Sequence, residues 1–149
     1  MSIHDDIATL ERAPLLRLLG NDALRMLAIG SETQRVHRGD TMFHAGDPAD
    51  AGFVVRDGML RLVARDNTTA MAGPGTLISE TALVVESAHA VTAVAEENTT
   101  LIRISRSLFQ KVLESDAMAA VRMRDAIAAR TSQITAEITA VKARLDRGR

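Results

Sequence analysis

Hydrophobic and polar positions change their rhythm twice along the 149 residues. From Ile7 to Ile29, apolar side chains (Ile7, Leu10, Leu15, Leu16, Leu18, Leu19, Leu24, Met26, Leu27, Ile29) recur at helical spacing, interrupted by Pro14 and by Gly20-Asn21-Asp22. This predicts short helices, the second capped at its start by Asn21 or Asp22. Between residues 33 and 104 the runs become short and rich in Val, Ile and Thr. Turn signals at Gly39-Asp40, Gly46-Asp47-Pro48, Asp57-Gly58, Asp66-Asn67 and Gly73-Pro74-Gly75 punctuate them. Such spacing predicts an all-β barrel or jelly roll. From Ser105 onward the helical rhythm returns. Ser105 and Ser115 or Asp116 are the expected caps of a short helix near 106–114 and a long one near 116–146.

Within the β zone, Phe53–Val63 reads as a hairpin turning at Asp57-Gly58, a dipeptide suited to a two-residue turn with positive φ. Leu60, Leu62 and Ala64 alternate with Arg61, Val63 and Arg65, as one buried face against one wet face requires. In the long helix, Ala117, Ala120, Arg124, Ile127, Thr131, Ile134, Ile138, Val141 and Leu145 recur at three and four. This is a coiled-coil seam, and a parallel homodimer would bury Ile127, Ile134, Ile138, Val141 and Leu145. Packing back onto the barrel is the competing reading.

Composition narrows the chemistry. With no Cys, disulfides, thiolate metal sites and iron–sulfur clusters are excluded. Three Phe and no Trp or Tyr leave no platform for stacking nucleobases. The start of the chain lacks a signal-peptide pattern and no run approaches a membrane span, so a cytoplasmic location without membrane contact is expected. Net charge is −1, but residues 122–149 carry seven Lys or Arg against three acids, +4, leaving −5 for the rest. That basic end suits a solvated helix face first, and otherwise nucleic acid or an acidic partner. No paired carboxylates, His-x-x-x-His or Gly-x-Ser-x-Gly occur, so neither catalysis nor a metal site is expected. His37 and His44 read as strand surface residues.

One block carries more. Gly73-Pro74-Gly75-Thr76-Leu77-Ile78-Ser79-Glu80-Thr81-Ala82-Leu83, followed by Ala88-His89-Ala90-Val91-Thr92, resembles the phosphate-binding cassette of cyclic nucleotide-binding domains, G-P-G-x-x-F-G-E-x-A-L then P-R-A-A-T. Arg38–Asp50 is similar to the family's K-G-D-x-L-F-x-x-G-D-P-A-D segment. The resemblance implies a mainly β fold with flanking helices (α+β), a double-stranded β-helix jelly roll followed by a long C-terminal dimerisation helix. Residues 1–115 would form the jelly roll with its N-terminal helices and 116–149 the helix, with no helix-turn-helix domain and no sequence-specific DNA binding.

It also implies function: a non-catalytic sensor that binds a small nucleotide such as cAMP or cGMP and signals through the long helix to a protein partner. The alternative is a degenerate pocket serving as a dimeric interaction scaffold. Carried over by position, the candidate ligand-binding residues are Ser79, Glu80, Thr81, Ala82, His89, Ala90 and Thr92. Glu80 falls on the ribose-binding Glu, and the amides at the start of the cassette helix would cradle the phosphate. Ser79 stands where the family has Gly, and His89 where it has the phosphate-binding Arg. Loss of that fork of donors costs about 1.5–3 kcal/mol, roughly 10- to 150-fold in affinity. Three readings of His89 stand open: a protonated phosphate ligand, a residue fitted to another or pH-dependent ligand, or an ordinary surface residue beside a vestigial pocket.

Overall fold

The computed structural model describes residues 3–126 and residue 129. Three helices come first: α1 (Ile3–Glu11), α2 (Pro14–Arg17) and α3 (Asn21–Gly30). Pro14 occupies the first position of α2, where its missing N–H costs nothing. The expected cap of α3 moves by one residue. Gly20, at φ +88°, precedes the helix, Asn21 begins it, and no side chain caps it.

Ten strands follow: β1 (Glu32–Val36), β2 (Thr41–Phe43), β3 (Pro48–Ala49), β4 (Ala51–Asp57), β5 (Leu60–Ala64), β6 (Thr69–Ala72), β7 (Leu77–Ile78), β8 (Ser87–Ala88), β9 (Val91–Ala95) and β10 (Thr99–Ser105). One sheet runs β1-β10-β4-β7 and the other β2-β9-β5-β6, with a short β3–β8 ladder at one end. Every pairing is antiparallel, and the two sheets make a jelly roll with helices on one side.

The expected hairpin across Asp57-Gly58 does not form. β4 pairs with β10 and β7 while β5 pairs with β9 and β6, so the chain changes sheets there. Only Gly58 has positive φ (+101°), whereas a two-residue hairpin turn of that type needs two such residues. A Cβ on Gly58 would lie 2.6 Å from the Asn98 carbonyl oxygen, so a close crossing of β10's approach demands glycine. The tight hairpin is β5–β6 instead, turning at Asn67 (φ 67°), with Asp66 accepting from the Thr68 amide.

Apolar burial falls into two clusters either side of β4 and β10. Val54, Ile102 and Ile104 face the helices with Leu10, Leu16, Leu19, Leu24, Leu27 and Phe109. Phe53, Val55 and Leu101 face the barrel interior with Phe43, Leu60, Ile78 and Ala93. Each fully buried large side chain contributes about 1.5–3 kcal/mol.

The expected caps of the last helices hold. Ser105 Oγ accepts from the Leu108 amide at the start of α4 (Arg106–Ser115), and Asp116 Oδ1 accepts from Ala119 N ahead of a helix covering 117–126. The rest of the long helix and the proposed seam (Ile127, Ile134, Ile138, Val141, Leu145) lie outside the described residues, as does Thr131. Among the described residues no helix is long and apolar enough to cross a membrane.

Candidate functional site

The cassette begins where β6 ends. Gly75 (φ +88°) turns the chain into β7, which leads to a 3-10 turn at Glu80–Leu83. Ala82 and Leu83 are buried and anchor the turn, while Thr81 is exposed and Glu80 half-buried. Arg106, at the head of α4, fixes it from behind: Nε donates to the Ala82 carbonyl (3.0 Å) and Nη2 to that of Ala49 (2.9 Å). Nothing in the local sequence pattern around Arg106 signals this contact, because its partners are backbone atoms far away in sequence.

Ser79 sits at the junction with φ 62° and ψ 40°, the left-handed region. This explains the family's glycine at that position: a side chain there is strained by about 1–2 kcal/mol. Ser79 tolerates the strain while its hydroxyl meets His89, with Oγ and Nδ1 2.7 Å apart. The two departures from the family motif therefore touch each other. They form one coupled change.

His89 is buried, 7% exposed, not a surface residue. Its backbone is tied on both sides, its amide donating to Asp47 O (2.9 Å) and its carbonyl accepting from Gly46 N (2.8 Å), next to the β3–β8 ladder. The ring lies flat on Phe43, centroids 3.6 Å apart and planes 7° from parallel, with Phe53 6.5 Å away. Burial pushes the imidazole pKa below its usual 6.5, and the attraction of Asp47 and Asp50 only partly opposes this. The ring is thus neutral at pH 7, with the Ser79 hydroxyl donating to Nδ1 when that nitrogen is bare. Phe43 belongs to the turn segment noted in the sequence, but its stacking role was illegible there.

The remaining candidates are dispersed around this pair. Thr92, on β9, accepts from the Ala45 amide (3.0 Å), and Ala90 is exposed beside it. Ala82 N–H donates to Ser79 O (3.0 Å), so that amide at the start of the turn is closed into the turn itself. His37 and His44 are exposed, and His44 Nδ1 lies 3.7 Å from Asp47 Oδ2. No cluster of three or more His, Asp or Glu suited to a metal occurs among the described residues.

A concavity missed by the sequence reading lies beside the cassette, against the N-terminal helices. It is an open groove of about 860 Å3 between the α1–α2 corner (Arg12, Pro14, Leu15, Arg17, Leu18), the cassette's first half (Pro74 to Leu77, with Glu80) and Ala126.

Comparison with known proteins adds the following. Residues 33–116 match the family model of the cyclic nucleotide-binding domain. A cAMP-dependent protein kinase regulatory subunit from Eremothecium gossypii is 30% identical over 101 residues, covering 68% of this chain and 22% of the relative. The chain therefore spans about a fifth of that relative's length. Among solved structures, the N-terminal domain of a transcriptional regulator from Streptomyces coelicolor A3(2) superposes with a TM-score of 0.77 at 27% identity, over 87% of this chain and 94% of that one. A cyclic nucleotide-binding-like protein from Brucella abortus gives 0.65 at 33% identity, over 74% and 98%.

Proposed function

We infer the function from one premise: the chain belongs to the cyclic nucleotide-binding domain family. The family is regulatory and non-catalytic. We propose that this member has a nucleotide pocket closed from within. It would act on a protein partner as a homodimeric, cytoplasmic regulatory module that does not respond to cAMP or cGMP at neutral pH.

The observation that carries this reading is the buried His89, neutral, stacked on Phe43 and bonded to Ser79. A cyclic phosphate needs a cation or free amide donors. Here the residue at the arginine position is uncharged, and the Ala82 amide already has an acceptor.

Calorimetry with cAMP and cGMP, at about pH 6 and about pH 8, tests the proposal. The native chain should give no binding heat at millimolar nucleotide. The double variant Ser79→Gly/His89→Arg should gain binding. His89→Arg alone should gain less, because Ser79 would keep a strained side chain where the ligand's phosphate belongs.

A second reading, a nucleotide sensor, draws on Glu80 at the ribose position and Thr92 at the late hydroxyl position. Micromolar binding by the native chain would sink the closed pocket and leave this reading in place.

A further inference from the structure

The groove shares Glu80 and the first half of the cassette with the candidate nucleotide site but does not include Ser79 or His89, and two arginines line it against one carboxylate. Of the other arginines in the described residues, five have structural duties, whereas Arg25, Arg35, Arg38, Arg65 and Arg124 make no ion pair or side-chain hydrogen bond there and do not line the groove. Arg56, Arg61 and Arg103 face carboxylates. Arg106 and Arg122 donate to backbone carbonyls, Arg122 to Leu18 O (2.7 Å) and Leu19 O (3.1 Å), which braces the α1–α2 corner. Arg12 and Arg17, both exposed and both lining the groove, have neither an ion pair nor a side-chain hydrogen bond among the described residues. The acidic residue beside them, Glu80, is already engaged.

The stem of Arg12 is held in place. It lies over Gly75 so closely that a Cβ there would come within 2.6 Å of Arg12 Cβ. Between the two arginines and Ala126 the surface is apolar: Pro14, Leu15, Leu18, Pro74 and Leu77. Leu18 is 40% exposed.

We propose that this groove is the docking site for an acidic, amphipathic protein segment, whose carboxylates pair with Arg12 and Arg17 and whose apolar side chains rest on Leu15, Leu18 and Leu77. Charge complementarity selects an acidic partner. The apolar floor selects a peptide over a nucleic acid, since the groove has no aromatic face for a base.

Fluorescence anisotropy with a labelled peptide built only of Glu and Leu, and with its Gln and Leu counterpart, provides the test. The acidic peptide should bind the native chain, and added salt should weaken it. Arg12→Glu and Arg17→Glu should each weaken it by about tenfold, and Arg25→Glu, on α3 outside the groove, by less than about twofold. All three side chains are exposed, and unchanged melting temperatures should show that the variants fold. Equal binding of the Gln peptide, no binding of the acidic one, or binding indifferent to the two reversals overturns the proposal. So does tighter binding of a single-stranded oligonucleotide through the same arginines, or a self-association that the reversals abolish. His89→Arg should leave peptide binding unchanged, so this inference and the closed-pocket reading fail separately.

Discussion

Ser79 and His89 show how two single-residue departures become one structural unit. Ser79 combines a strained backbone (φ 62°) with a hydrogen bond to Nδ1, and these oppose each other in energy. Ser79→Gly relieves about 1 kcal/mol of strain and loses a bond of similar worth, so its urea midpoint should scarcely move. Ser79→Ala keeps the strain and loses the bond, and should be about 1 kcal/mol less stable. Equal behaviour of the two variants would deny the strain, and an unchanged midpoint for Ser79→Ala would deny the pairing. His89 also predicts a pH effect. Its pKa in the fold lies below 6.5, so between those two values the unfolded chain binds more protons than the folded one. Stability from this group is therefore complete above the unfolded pKa and declines as pH falls towards the folded value. Thermal melts from about pH 7.5 to about pH 5.5 should show the native chain losing more stability than His89→Phe.

At the scale of elements, caps were readable and contacts were not. Ser105 and Asp116 cap the helices that their positions in the sequence suggest, because a cap acts within three residues of itself. Ser105→Ala should cost about 1 kcal/mol in chemical denaturation. The cassette turn depends on Arg106 reaching Ala82 and Ala49 across 24 and 57 residues, which no local pattern encodes. Arg106→Gln should speed amide hydrogen exchange at Val84 and Val85 and leave the β5–β9 ladder protected. Uniform protection in both regions would mean that the turn holds itself. The misplaced hairpin has the same origin. Asp57-Gly58 carries a local turn signal, but the decision to change sheets came from the partners β4 and β5 find in β10 and β9.

At the scale of the whole molecule, an ion pair among the described residues joins the helical layer to the jelly roll. Arg56 on β4 meets Asp6 on α1 at 2.6 Å, with side chains only 10% and 16% exposed, and Arg56 Nε has no acceptor. Removing one partner of so buried a pair leaves an uncompensated charge, so Asp6→Ala should destabilise by about 3–5 kcal/mol. A loss below about 1 kcal/mol in denaturant unfolding would show that packing alone holds α1 on the barrel. The same layering creates the groove, since the α1–α2 corner, the cassette and Ala126 are adjacent only after the helices dock.

By itself the sequence determined the succession of a helical, a β-rich and a helical zone, because hydrophobic period and turn residues act over short stretches of chain, and its motif spacing carried the resemblance to the cassette. It also marked positions 79 and 89 as departures. What only the tertiary structure decided is what those departures do. A histidine in a motif is charged or neutral according to its burial and neighbours, and these were Phe43, 46 residues earlier, and Ser79, ten residues earlier. Desolvation and stacking depend on which side chains folding brings within a few ångströms, and no linear pattern records that proximity.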